Sequence, residues 1–412
     1  MENKEESTPL LQNQFPIKRT GTVWTAVAHI VTGVIGSGVL SLAWSLAQLG
    51  WVAGPFAIIL FAIITLVSAY LLCNSYRSPD PEYGPRRSSS YLDAVNLHLG
   101  GNHGWLSGFC VHLSFFGFGI AYNVTTAISI RAILKANCYH KNGHEADCEF
   151  GGMGLAIAQV VGNGIIKGSI EGISTTTYEK VWLVAQGLGD IAFSYPFAVI
   201  LIEIQDTLKS PPPENVTMRK ASTISLFVTT FFYLCCGCSG YAAFGDNTPG
   251  NLLNGFYEPY WLVDFANACI VFHLVGAYQV YSQPLFANVE SWLSFRFPES
   301  QFVNHIYTLK LPLLPAFGVN LLRLCFRSAY VASTTIIAVT FPYFNQVLGV
   351  LGGVIFWPLT IYFPVKMYMS QCDIEAWTTK WILLQTFSAF CFVVGLFALV
   401  GSIEGIITAR LS

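Results

Sequence analysis

Charge is what this sequence has least of. Asp, Glu, Lys and Arg make up 11% of its 412 residues, less than half the roughly 25% usual in soluble domains. Such a chain cannot cover a folded surface with solvated groups, which excludes an ordinary water-soluble globule. The two signs nearly cancel, 21 basic residues against 23 acidic. No net field remains to hold a phosphate backbone, so nucleic acid is excluded as a partner. Metal-ligand spacing is missing too. Cys235, Cys236 and Cys238 cluster inside an apolar run with no His or carboxylate beside them, which reads as small buried side chains rather than a metal centre. The polar segments hold no nucleophile–base pair and no phosphate loop, so the chain does not read as an enzyme and no cofactor is expected. The opening stretch, MENKEESTPLLQNQFPIKRT, lacks the apolar core of a secretory signal. It reads as a cytoplasmic tail over 1–20, ahead of one transmembrane domain over 21–412.

Long apolar runs are abundant. About nine stretches reach or exceed the roughly 20 residues needed to span a bilayer; they lie near 21–49, 52–76, 105–136, 179–205, 221–244, 259–290, 323–343, 344–369 and 381–408. Basic residues gather in alternate loops: Arg77, Arg86 and Arg87; Lys209, Arg219 and Lys220; Arg296 and Lys310; and Lys380 before the last span. The loops LGWVAG, GDNTPGNLLNGFYEP and FPYFNQ contain none. The excess of Lys and Arg marks the cytoplasmic side, placing the N-terminus inside and the C-terminus outside. The run MGLAIAQVVGNGII is too short to cross comfortably. Crossing there would also turn every later basic loop outward, so residues 151–166 read as an interfacial or re-entrant piece.

Two spans are built to break. GVIGSGVLSLAW places Gly33, Gly36 and Gly38 within six residues, each costing about 1 kcal/mol of helix propensity. GLGDIAFSYPF, over 187–197, places two glycines, Asp190 and Pro196 in the middle of another span, and a proline removes one helical hydrogen bond. Unpaired backbone inside a bilayer is tolerated only where it lines a cavity or packs in protein. Two interrupted helices several spans apart point to a secondary transporter with a midplane site. Freed N–H groups suit a carboxylate and freed carbonyls suit an ammonium, and the two together describe an amino acid.

Longer stretches carry a resemblance. TGTVWTAVAHIVTGVIGSGVLSLAWSLAQLGWVAGP, GDIAFSYPF with LIEIQDTLKSPPPEN, GCSGYAAFGDNTPGNLL, HLVGAYQVYSQP and GVIFWPLTIYFPVKMY closely resemble the plant amino acid permeases, in the amino acid/auxin branch of the amino acid transporter superfamily. The resemblance covers nearly all of the chain after Thr20. It implies an all-α, polytopic LeuT-like inverted-repeat fold, two five-helix repeats whose first helices are broken. It also implies proton-coupled import of amino acids across the plasma membrane, with an amino acid, H⁺ and the lipid bilayer as partners. Against the family's eleven membrane helices this chain lacks the fourth and most of the fifth, leaving the first repeat incomplete. A shortened form without transport, or a carrier of a related solute such as an auxin-like acid or γ-aminobutyrate, stands as the alternative.

The substrate seat is expected at Gly33, Ile35, Gly36, Ser37 and Gly38 of the first break and at Phe193, Ser194 and Tyr195 of the second. His29 and Asp190 are the proton-coupling candidates, because buried ionisable groups in a membrane are expensive. Helical spacing puts Thr25, His29, Thr32 and Gly36 on one face, expected to look onto the cavity. His29 would there carry the proton or, as a neutral imidazole, bond a neighbouring helix. Asp190 would titrate, meet the substrate ammonium, or cap the helix after the break. Cys138 and Cys148 flank a polar loop on the side that permits a disulfide.

Overall fold

Helix α1 (Val23–Val34) starts at a capping box: the Thr22 hydroxyl accepts from Thr25 N–H, and the Thr25 hydroxyl accepts from Thr22 N–H at 2.8 Å. The structure, a computed structural model, describes residues 19–142, 153–154, 166–195, 197–255, 257–309 and 317–411. After α1 the chain leaves helical geometry at Ile35 and Gly36, makes a 3₁₀ turn over Ser37–Leu40, and resumes as α2 (Leu42–Asn74). Gly50 divides α2. Its φ of +82° is open to glycine but strained for other residues, and a Cβ there would meet the Ile170 carbonyl and lie 2.5 Å from Gly172 N. The first expected span is therefore α1, the turn and α2 up to Leu49; the second is the remainder of α2.

A tight loop with paired strands Arg77–Ser78 and Arg86–Arg87 leads to α3 (Tyr91–His98) and the 42-residue α4 (Gly101–Asn142). The second broken span follows as α5 (Thr177–Phe193) and α6 (Ala198–Asp206). Beyond it come α7 (Glu214–Phe244), α8 (Tyr260–Arg296) and the short α9 (Gln301–Asn304). An antiparallel hairpin, Ile306–Leu309 with Phe317–Asn320, precedes α10 (Leu321–Thr340). Then α11 (Phe344–Ile355) runs through a π-helical stretch, Phe356–Tyr362, into α12 (Phe363–Gln371), and α13 (Thr379–Leu411) ends the chain. Among the described residues eight helices are long and apolar enough to cross a membrane. The ninth expected span is the first, divided by its own break. The 151–166 segment lies almost wholly outside the described residues.

Burial ranks the spans. The most apolar stretch of the α5–α6 span is 88% buried, against 22% for α8 and α10, so the second broken span runs through the centre. Phe227, Phe231, Phe272, Phe295 and Val339 are exposed on outer helix faces, as a lipid-facing surface requires.

One end of the molecule is fastened. Gly21 N–H donates to Thr207 O at 2.9 Å and Lys209 N–H to Gly21 O at 3.0 Å. Arg19 donates to the carbonyl and the carboxylate of Asp206, both at 2.8 Å, and Tyr76 donates to the same carboxylate at 2.6 Å. The start of α1 is thus tied to the end of α6. Arg19, within the expected tail of residues 1–20, is part of this contact. At the same end, Glu214 is completely buried beneath Arg77 and Arg87, at 2.8 and 3.1 Å, and Glu290 holds Arg323 and Arg327 at 2.9 and 2.7 Å.

Candidate functional site

The two breaks meet. A Cβ built on Gly38 would lie 2.6 Å from Ser194 Oγ and 3.0 Å from Ser194 Cα, so the 3₁₀ turn of the first span rests directly on the turn of the second. Tyr233, fully buried on α7, joins them: its one hydroxyl proton is shared between Val34 O at 2.7 Å and Ser194 O at 2.8 Å. The hydroxyl of Tyr281 on α8 donates to Gly33 O at 3.0 Å. Carbonyls released where α1 stops are thereby satisfied by tyrosines from two other helices, as a low-dielectric interior demands.

Aromatic rings close the site on the α4 side. Phe118 packs 4.6 Å from Tyr281 and 5.7 Å from Phe193, and Tyr122 lies 6.0 Å from Tyr281, by ring centroids. Behind the second break, Phe118, Phe193, Tyr195, Leu351, Ile355 and Leu359 help to line a cavity of about 10 Å³, the room one water needs. The π-helical stretch flanks this cavity. Its rearranged hydrogen bonding leaves carbonyls to other donors: Tyr91 donates to Leu359 O at 2.7 Å, and the Ser68 hydroxyl bonds Thr360 O.

Each expected seat residue can now be located. Ser37, Gly38, Phe193, Ser194 and Tyr195 are buried at the meeting of the breaks. Ser37 Oγ has no hydrogen-bond partner among the described residues. Gly33 is buried with its carbonyl on Tyr281, while Ile35 and Gly36 are half-buried. Gly36 is less confined than expected, since a Cβ there would stand 3.6 Å from Tyr122, an ordinary contact. Gly38 is the tight position. Pro196 lies outside the described residues.

The proton candidates go elsewhere. His29 is exposed, together with Thr25 and Thr32, so none of the described residues covers this face of α1. Spacing shows which residues share a face, but not which way that face looks. Asp190 is fully buried, and its side chain reaches toward α11. Its Oδ1 stands 3.3 Å from where a Cβ of Gly349 on α11 would be. His112 is a local bonding residue, its Nδ1 on Gly108 O at 2.5 Å. Cys138 is disulfide-bonded and nine other cysteines are free; Cys148 lies outside the described residues. No cluster of three or more His, Cys, Asp or Glu suited to a metal occurs among the described residues.

The tyrosines were not foreseen. Tyr233 and Tyr281 sit in ordinary apolar spans, and nothing in their own neighbourhood in the sequence marks them as partners of a break on another helix.

A family model described as transmembrane amino acid transporter protein matches residues 19–162 and 153–408. The chain belongs to this family. Membership places it among transporters, not enzymes. Probable amino acid permease 7 of Arabidopsis thaliana is 53% identical over 440 residues, covering 95% of this chain and 94% of the relative. Amino acid permease 3 of the same plant is 48% identical over 436 residues, with 95% and 91% covered. Lysine histidine transporter-like 6 is 25% identical over 446 residues, with 97% and 96% covered. For the first relative, 95% of 412 residues is about 390, so about 50 of the 440 aligned positions are matched by the relative alone, enough for two membrane helices of about 20 residues each. The two family matches overlap at 153–162.

Proposed function

We propose that the chain is a proton-coupled symporter that imports amino acids across the plasma membrane, with the N-terminus cytoplasmic and the C-terminus outside. The scaffold in this reading is the LeuT-like inverted repeat, each repeat opening with a broken helix. One observation carries it: two interrupted spans, far apart in sequence, rest on each other at Gly38 and Ser194 and share the hydroxyl of Tyr233. Backbone N–H groups at the start of the 3₁₀ turn, with the buried and unpartnered Ser37 hydroxyl, suit a substrate carboxylate. The carbonyls of Gly33, Val34 and Ser194, released as the tyrosines swing aside, suit its ammonium. The names of the relatives supply the solute class, and His29 and Asp190 are the groups available to carry the proton.

Uptake of labelled amino acids by a permease-deficient yeast strain is the direct test. Accumulation that rises as external pH is lowered and collapses with a protonophore is the expected result. Strong competition by auxin or γ-aminobutyrate, without competition by common L-amino acids, would move the substrate to a related solute.

A second reading has its own observation. The exposed stripe Thr25, His29 and Thr32, together with the segment present only in the relatives, favours a shortened form that reaches the membrane without transporting. Correct insertion with no uptake of any amino acid would establish that reading.

A further inference from the structure

Asp190 sits where three helices cross with almost nothing between them. A Cβ on Gly189 of α5 would lie 2.7 Å from Gly349 O and 2.8 Å from Gly349 Cα of α11. One on Gly353 of α11 would lie 2.7 Å from Leu399 N of α13, and one on Gly401 of α13 would lie 2.8 Å from Trp182 O of α5. Backbone therefore rests on backbone along all three pairs, the close approach that small residues permit in membranes. Into this junction α5 projects a carboxyl group. Asp190 is 0% exposed, and neither of its carboxyl oxygens has a hydrogen-bond partner among the described residues.

The surroundings are polar but uncharged. One turn earlier on α5, Gln186 is buried with its Nε2 unpartnered. On α11, one turn before Gly349, both amide atoms of buried Asn345 are unpartnered. On α13 the Ser402 hydroxyl, which donates to Ala398 O at 2.8 Å, lies beside the position a Gly349 Cβ would take. No residue of α2, of the Ser37–Leu40 turn or of α11 is an Asp, Glu, Lys or Arg. The charged residues of α13 are Lys380, Glu404 and Arg410; Glu404 accepts from Thr408 at 3.0 Å, and helical spacing sets it on the opposite face from Ser402. On α5 itself Glu179 and Lys180 lie about three turns away, and Lys180 donates to Glu171 O at 2.7 Å.

An ionised carboxylate with no cation beside it and no hydrogen bond to it cannot be held in such a place; the group takes up a proton or the helices part. We propose that Asp190 carries the transported proton at the junction of α5, α11 and α13, apart from the substrate seat, and that the junction closes only around the protonated acid. This rests on the proton-coupled reading above and assigns that proton to a place. When the junction opens to one side, a carboxylate oxygen takes H⁺ from water and an O–H bond forms. When it opens to the other, that bond breaks and H⁺ returns to water. The link to the seat is short: the Asp190 carbonyl accepts from Ser194 N–H at 3.2 Å and from the Ser194 hydroxyl at 2.9 Å, and Ser194 touches the first break.

The test uses the full chain, wild type and Asp190→Asn, in lipid. Infrared spectra at neutral pH are expected to show a protonated-carboxyl C=O band in the wild type that the variant lacks; no difference between the two overturns the proposal. In proteoliposomes, pH-driven accumulation of labelled amino acid is measured beside counterflow without a gradient. The ratio of accumulation to counterflow is expected to fall at least tenfold in Asp190→Asn. A variant that accumulates as the wild type does overturns the assignment while the symport reading stands. A wild type that shows counterflow but ignores the gradient overturns the symport reading, and the coupling role with it. Should Asp190→Asn not fold, Ser402→Ala removes only the neighbouring hydroxyl and is expected to shift both the carboxyl band and the pH midpoint of uptake; an unmoved band and midpoint overturn the proposal.

Discussion

Tyr233 and Ser194 are joined by a hydrogen bond of 2.8 Å from the tyrosine hydroxyl to the serine carbonyl, and the same hydroxyl also reaches Val34 O. One side chain on α7 therefore holds both interrupted spans in register. Tyr233→Phe removes the hydroxyl and leaves the ring. Stability should fall by about 1–3 kcal/mol, because the buried Val34 and Ser194 carbonyls lose their donor, while uptake falls at least tenfold. Surface abundance measured beside initial uptake rate checks the split; unchanged uptake would show that the bridge is packing alone.

Gly38 should be the least replaceable residue of the first break. Gly38→Ala drives a methyl against Ser194 Oγ and Cα, whereas Gly36→Ala meets only Tyr122 at ordinary contact distance. Uptake is expected to be lost in the first and largely kept in the second. Adding Ser194→Gly to Gly38→Ala makes room and should restore part of the rate, an outcome that a general folding defect would not produce.

Glu214 is the buried anion of the fastened end. Its side chain is fully enclosed beneath Arg77, itself only 10% exposed. Removing one partner of such a pair costs about 3–5 kcal/mol because the other charge is stranded. Glu214→Ala should lower the thermal midpoint in detergent by many degrees. Arg87→Ala should cost less than about 1 kcal/mol, since Arg87 is 35% exposed and solvent screens it.

His98 gives the fold a pH dependence of known sign. Its Nε2 donates to Ser75 O at 2.9 Å, and burial, opposed by that bond, lowers its pKa below the ordinary 6.5. The unfolded chain therefore protonates first as pH falls. The contribution of His98 is complete above 6.5 and is lost progressively between that value and its lowered folded value. Thermal midpoints across this window should decline on acidification in the wild type, and His98→Gln should flatten that limb of the profile.

Much of this architecture was legible because the bilayer makes apolar length and broken helices conspicuous. Gly33, Gly36 and Gly38 could not sit together in an uninterrupted span, and the interruption is there. The corner at Gly50 falls where LGWVAG separates two runs. What could not be read was direction and partnership. Thr25, His29 and Thr32 do share a face, but a helix wheel is silent about what stands opposite it. Asp190 lies next to a break in sequence, yet four residues of helix turn its carboxyl toward Gly349 and Ser402. Arg19 and Asp206 are 187 positions apart, and no local pattern pairs them.

The fastening at Gly21 has two parts of different kinds. The backbone exchange with Thr207 and Lys209 depends hardly at all on which side chains are present, whereas the grip of Arg19 and Tyr76 on Asp206 depends on nothing else. Substitution at those three positions can therefore alter how firmly the start of α1 is held to the end of α6 while leaving the place of attachment where it was.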